Sequence, residues 1–280
     1  MKLSAPDFYE SSLVARDGTR LFQRSLEPLS TSTSQVLLIH GMGEHSSRYL
    51  HVAERLARDG FRVCLFDLRG HGRSGGERGH AESYAQLLDD IATVWQHCSQ
   101  NARHTFLYGH SLGGQLALNF ALTHRPNAAG LVAASPWLDL AFAPQAWKVW
   151  LARLTLQIWP RFSQTTDVRP DRLSRDQEFL ATLPDLDLVH HRMSARMYFE
   201  LIRGAREARE NAQNFTLPLF LLHGEDDPVT SAKATRTFFK KTKAADKTLR
   251  LYPGGLHETH NDLNRETVLD DIVQWLAARS

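Results

Sequence analysis

The chain has 280 residues, 42% of them hydrophobic, with 33 basic against 31 acidic side chains and a formal charge of +2. That length buries a sizeable core in one large domain or a domain with an insertion, and the near balance of charge makes no case for a nucleic-acid partner. Two cysteines, Cys64 and Cys98, make no disulfide framework, so a reducing, cytoplasmic setting is expected. Met1 to Ser12 carries acids and a proline and lacks the basic, apolar and small-residue order of a leader. No run of about twenty uncharged apolar residues suits a membrane span.

Glu10 to Ala15 and Arg20 to Ser25 read as short strands about the turn dipeptide Asp17-Gly18. The Ser/Thr run Ser30 to Ser34 reads as a loop. Gln35 to Gly41 is a continuous apolar run of the kind buried on both faces of a parallel sheet, with a helix over Tyr49 to Asp59 stopping at Gly60. The strand Phe61 to Asp67 follows, then a glycine-rich loop from Arg69 to Gly79 and a helix from Ser83 to Cys98. Thr105 to Tyr108 is a buried strand driven straight into a helix from Leu112 to His124, and Ala129 to Ala134 is another short strand. This alternation predicts an α/β fold, a mostly parallel sheet with helices on both faces. From Pro136 to Asn211 there is no clear strand run, only helical candidates broken by Pro144, Pro160, Pro170 and Pro184. Regularity returns with Leu217 to Gly224, a helix over Ala232 to Lys241, the strand Thr248 to Tyr252 and an amphipathic helix from Arg265 to Ala278. The expected division is a core of residues 1–135 and 213–280, and a helical cap of residues 136–212.

Ser111 sits on the turn between a strand and a helix, flanked by Gly109 and Gly113 in a G-x-S-x-G pattern. A serine between glycines is also an ordinary turn; the apolar strand before it and the apolar helix face after it favour a nucleophile. A serine hydroxyl needs a base to take its proton and an acid to orient that base. Just past the carboxyl end of a strand stands Asp227, with Glu225 and Asp226 as neighbours open to confusion and Asp139 as a less favoured rival. For the base, His257 follows the final strand in a glycine loop, and His260 competes. One oxyanion donor is expected from the backbone of Leu112 and a second from Met42, in the loop His40-Gly41-Met42-Gly43-Glu44.

The chain resembles the monoacylglycerol lipase and lysophospholipase branch of the α/β-hydrolases, also described as serine aminopeptidase-like or "hydrolase 4". The resemblance rests on His40 to His45 with Arg48-Tyr49, Asp67 to Ser74, Gly109 to Gly114, His223 to Asp227, and the tail Lys247 to Tyr252 leading to His257-Glu258. It implies an α/β-hydrolase fold with an inserted cap, Ser111, Asp227 and His257 as catalytic triad, Met42 and Leu112 as oxyanion donors, and no metal or cofactor. Asn261-Asp262 stands where the family often has Asn-Glu, and Leu173-Ser174-Arg175-Asp176 echoes its insertion. The implied reaction is hydrolysis of a lipid ester, monoacylglycerol or lysophospholipid, through an acyl-enzyme. A general esterase, a peptidase and a non-catalytic receptor on the same fold are the alternatives.

Four of the six tryptophans, Trp137, Trp147, Trp150 and Trp159, fall in the first part of the insertion, among Phe142, Val149, Leu151, Leu154, Leu156 and Ile158. Such side chains pack on the sheet domain, line an acyl tunnel as substrate-binding residues, or dip into a lipid surface, and in the last case the protein sits peripherally on a membrane. Arg153 and Arg161 suit a phosphate head group, or form a solvated face. The cap is expected to admit one long acyl chain. Nothing in the sequence sets the oligomeric state.

Overall fold

The structure is a computed structural model that describes residues 8–28, 34–100, 102–166 and 169–280. Strands β1 (Phe8–Val14) and β2 (Arg20–Leu26) pair antiparallel across the Asp17-Gly18 turn. Then come β3 (Ser34–Ile39), α1 (Leu50–Arg58), β4 (Arg62–Phe66), α2 (Tyr84–Cys98), β5 (His104–His110), α3 (Leu112–His124) and β6 (Gly130–Ala134). The loop expected at Ser30 to Ser34 lies outside the described residues as far as Thr33, and Ser34 already opens β3. After β6 the chain leaves the sheet for α4 (Ala146–Ile158), β7 (Ser163–Thr165), α5 (Gln177–Thr182), β8 (Arg192–Ser194) and α6 (Ala195–Glu210). It returns with β9 (Leu219–Gly224), α7 (Ala232–Lys241), β10 (Lys247–Tyr252) and α8 (Arg265–Ala277).

Eight strands form one sheet in the order β1-β2-β4-β3-β5-β6-β9-β10. The hairpin at one edge is antiparallel, β2 meets β4 antiparallel, and every pair from β4 to β10 is parallel. Alternate residues of each central strand enter opposite cores, as the two-residue strand period requires. Val36, Leu38, Phe106, Tyr108, Phe220 and Leu222 join α1 and α8 on one side. Leu37, Ile39, Leu107, Leu219 and Leu221 join α2, α3 and α6 on the other. Serine caps begin three of the helices: the hydroxyls of Ser83, Ser194 and Ser231 accept from Gln86, Met197 and Ala234 N–H.

Two features of the excursion differ from expectation. The segment read as strandless holds the ribbon β7–β8, paired antiparallel from Ser163↔Ser194 to Thr165↔Arg192. Strands of three residues show no hydrophobic period, and their partners lie far apart in sequence, so no local pattern announces them. Helix α6, placed in the cap by a boundary at residue 212, packs in the main helical layer: Met197, Leu201 and Ala208 are buried in the core. Gln115 and Asn119 of α3 donate to the carbonyls of Leu201 and Gly204. Among the described residues, no helix is long and apolar enough to cross a membrane.

Candidate active site

Strand β5 ends and α3 begins with a single residue between them. Ser111 takes φ 52° and ψ −115°, a conformation that a non-glycine residue holds at a cost of about 1–3 kcal/mol. The flanking glycines are required by contact: a Cβ on Gly113 would lie 2.1 Å from the Ile39 carbonyl, and one on Gly109 would lie 2.3 Å from the Gly113 carbonyl. Backbone bonds hold the turn, Ser111 N–H to Ala134 at 2.9 Å and Trp137 N–H to Ser111 at 2.9 Å. The Ser111 hydroxyl makes no cap bond to its helix and is left for another partner.

That partner is His257, whose Nε2 lies 3.0 Å from Ser111 Oγ and whose Nδ1 lies 2.8 Å from Asp227 Oδ2. Asp227 leaves the end of β9 in a tight loop, where Val229 and Thr230 N–H donate to Oδ1 at 2.7 and 3.0 Å. Thr230 Oγ1 and His223 Nε2 reach Oδ2 at 2.8 and 3.0 Å. Burial alone pushes this carboxyl up, but the charge of His257 and the hydrogen bonds from His223 and His257 outweigh it and hold Asp227 well below the usual range. Burial likewise works against the imidazolium of His257, and the Asp227 carboxylate more than offsets it, raising His257 above its ordinary value. A base held in this way gains a stabilised charged form as it takes the proton.

The rivals are elsewhere. Glu225 is exposed and pairs with Arg236 at 2.7 Å, Asp226 is exposed, and exposed Asp139 pairs with Arg209. His260 is fully buried, stacked 4.8 Å from the Tyr49 ring, and its ring nitrogens have no hydrogen-bond partner among the described residues. Asp262 anchors the histidine loop, accepting from Leu256 N–H at 3.0 Å and from Arg175 Nε at 3.0 Å. Glu258 N–H donates to the Leu173 carbonyl at 2.7 Å, so the Leu173 to Asp176 segment is bolted to the same loop.

Leu112 N–H is the first of α3, one of the helix donors with no partner inside the helix. The Met42 loop crosses beside it, close enough that a Cβ on Gly41 would lie 3.2 Å from Ser111 Cβ. Glu44 Oε1 takes Gly41 N–H at 2.6 Å and the Tyr49 hydroxyl at 2.6 Å. Arg48 then joins Glu44 (3.1 Å) to Glu258 (2.7 Å), tying the Met42 loop to the residue after His257. Burial opposes the Glu44 charge, but His110 and Arg48 hold its carboxyl far below the ordinary value. Sequence reasoning passed over this ion triad; only the four-residue spacing of Glu44 and Arg48 hinted at half of it.

Ser111 and His257 open into a cavity of about 770 Å³ whose walls include Leu140, Phe142, Val149, Phe162, Met193 and Tyr198. Trp137 is a buried wall residue of it. The other three tryptophans singled out as substrate-binding do not line it: Trp147, Trp150 and Trp159 are 62%, 65% and 61% exposed. For Trp147 and Trp150 the cause is the helical period of α4, and Trp159 stands past its end. Lys148, Val149 and Ala152 turn to the cavity, whereas Trp147, Trp150, Leu154 and Ile158 share the outer face. Arg161 is engaged by Glu82. No group of His, Cys, Asp and Glu among the described residues is arranged to hold a metal ion.

Known proteins resemble this chain along most of its length. The sequence model of the family described as Hydrolase_4, serine aminopeptidase S33, matches residues 30–264. An uncharacterised abhydrolase domain-containing protein of Dictyostelium discoideum is 34% identical over 96% of this chain, which spans only 29% of that protein's length. The monoacylglycerol lipase of Mycolicibacterium smegmatis is 28% identical, covering 96% of this chain and 97% of its own. The crystal structure of Paleococcus ferrophilus monoacylglycerol lipase superposes with a TM-score of 0.83 at 30% identity, covering 98% of this chain and all of its own.

Proposed function

The chain belongs to the Hydrolase_4, serine aminopeptidase S33 family of α/β-hydrolases and is a serine hydrolase; from that premise we propose that it cleaves the ester of a single-chain acyl lipid, monoacylglycerol first. One observation carries the reading: the Ser111 hydroxyl, 3.0 Å from the His257 imidazole that Asp227 holds at 2.8 Å, faces an apolar cavity of about 770 Å³. That volume lies within the range of sites that enclose small molecules.

His257 takes the proton as Ser111 Oγ attacks the ester carbonyl, and the N–H groups of Leu112 and Met42 receive the developing oxyanion. Collapse expels the alcohol, which takes the proton from His257. Water, activated by the same imidazole, then frees the fatty acid. The acyl chain lies along Leu140, Val149, Phe162 and Met193, and the alcohol lies toward Glu44, Arg48 and Glu258, which also line the cavity. An uncharged polyol suits that polar end better than a phosphate, because Arg48 is already engaged by two carboxylates and Arg161 by Glu82. The outer face of α4 supports a peripheral membrane contact in a cytoplasmic setting, with Trp147, Trp150 and Ile158 entering the lipid interface.

The test compares fatty-acid release from monoacylglycerol and lysophosphatidylcholine by wild type and Ser111→Ala, with aryl esters of rising chain length alongside. Expected are faster release from monoacylglycerol, a rate that climbs with acyl length, and no release by Ser111→Ala. A short-chain-only profile, or turnover of aminoacyl arylamides in place of esters, overturns it.

A further inference from the structure

Asp227 serves two imidazoles. Beside His257, and on the same carboxylate oxygen, stands His223 of β9, which is fully buried. Its Nε2 lies 3.0 Å from Asp227 Oδ2 and 3.2 Å from the Thr230 carbonyl, and its Nδ1 lies 2.9 Å from Thr235 Oγ1 on α7. Of the neighbours of Nε2, the Asp227 carboxylate and the Thr230 carbonyl only accept, and the Thr230 hydroxyl, 3.4 Å away, gives its hydrogen to Asp227 Oδ2 at 2.8 Å, so that nitrogen carries a hydrogen, and Nδ1 accepts the hydroxyl hydrogen of Thr235. Oδ2 therefore receives three donors, from His223, from Thr230 and, at 2.8 Å, from His257. We propose that His223 is a positioning residue of the hydrolase, a second imidazole that holds the triad carboxylate in register with His257 while Thr235 fixes its ring. The proposal rests on the serine-hydrolase reading of the site.

Two consequences follow from chemistry. Without the His223 donor, Oδ2 loses one of the bonds that fix its direction, and a carboxylate that swings carries the His257 ring with it. The charge that His223 now draws off also falls more fully on His257, stabilising the imidazolium, so that more acid-side rate is lost. Other charged or titratable groups face this pair: His110 of β5, whose ring is 4.8 Å from that of His257, Glu44 and Arg48 beyond it, and Glu258 beside His257. Glu225 and Arg236 pair with each other at the surface. All of these stay in place when position 223 alone is changed.

The experiment uses the full chain and a soluble aryl ester, with His223→Phe, which removes the donor, His223→Gln, which restores a side-chain N–H, and Thr235→Val, which removes only the hydroxyl. For His223→Phe we expect kcat to fall about tenfold or more with KM within about twofold, and the acid limb of the kcat/KM profile to move up by about half a pH unit. His223→Gln recovers to within about threefold of wild type, a rescue that a merely space-filling role does not produce. Should His223→Phe fail to fold, Thr235→Val decides, with an expected loss of about threefold in kcat. Wild-type kcat and an unmoved pH profile in His223→Phe, or in Thr235→Val, overturn the proposal, as does a His223→Gln no better than His223→Phe. A wild type that neither turns over ester nor takes up a fluorophosphonate overturns the hydrolase reading itself, which separates the two failures.

Discussion

Replacing Arg48 with methionine keeps an apolar stem of similar reach and removes the guanidinium that joins two buried carboxylates. Glu44, Arg48 and Glu258 are each under 7% exposed, and Arg48 reaches them at 3.1 and 2.7 Å. Removing one partner of a buried pair costs about 3–5 kcal/mol, because the charge left behind has neither water nor counter-ion. In a domain of this size each kcal/mol moves the melting temperature by about 2–4 °C, so a drop of roughly 10 °C is expected. Both ends of the triad carry catalytic loops, since Glu44 holds the Gly41 N–H at 2.6 Å and Glu258 follows His257. Activity at 20 °C, where the variant is still folded, should therefore also fall, by about tenfold. Calorimetry and aryl-ester turnover measure the two effects. Arg48→Met combined with Glu258→Gln should regain much of the lost stability, because one of the stranded charges is gone. A single variant melting within about 1 °C of wild type would refute the claim that this triad ties the two loops together.

Gly113→Ala drives a methyl to 2.1 Å from the Ile39 carbonyl and so lifts α3 off β3; activity should fall about 100-fold with a stability loss of about 1–3 kcal/mol, read by esterase rate and urea titration. Gly79→Ala acts on the cap, because Gly79 has φ +70° and a Cβ there would lie 2.0 Å from the Arg192 carbonyl; limited proteolysis should open residues 160–192 first while the sheet core survives. Acid should destabilise the fold well before its carboxylates titrate. Burial lowers His40, His71 and His260, and brings His45 and His190 to about 4, so the unfolded chain binds more protons than the folded one below pH 6.5. The stability held by these groups is present above pH 6.5 and declines as pH falls from there, on the order of 1 kcal/mol by pH 5.5 for each of His45 and His190. His257, raised, works the other way, its contribution fading as pH climbs through its folded value. Urea titrations at pH 7.5, 6.5 and 5.5 check the sign; constant stability across them would contradict it.

The sheet and the nucleophile were legible because they obey local rules. Apolar runs at Val36–Ile39 and Leu219–Leu222 have the two-sided burial of parallel strands, and the glycines around Ser111 announce a turn that no Cβ permits. Chain position after a strand pointed to Asp227 and His257 but did not separate Asp227 from its two acidic neighbours. That choice is made by the loop geometry, in which the Val229 and Thr230 N–H groups turn toward residue 227. Arg48 and Glu258 were illegible as partners because they stand 210 positions apart, and His223 because a buried imidazole and a strand residue look alike in sequence. The outer tryptophans of α4 were misplaced for a different reason. Its cavity-facing and outward residues interleave at helical spacing, so the pattern gives two faces without saying which one turns inward.

Ester cleavage by this chain depends on one nucleophile, Ser111, made reactive by the His257 imidazole and the Asp227 carboxylate. Incubation of the wild type with a fluorophosphonate, followed by intact-mass and peptide mass spectrometry, tests it most directly. We expect a single adduct, carried by the peptide that contains Ser111, forming at a rate that falls by orders of magnitude in His257→Gln and not forming in Ser111→Ala. An adduct on another residue, or an ester-cleaving wild type that takes up no probe at Ser111, would contradict the account.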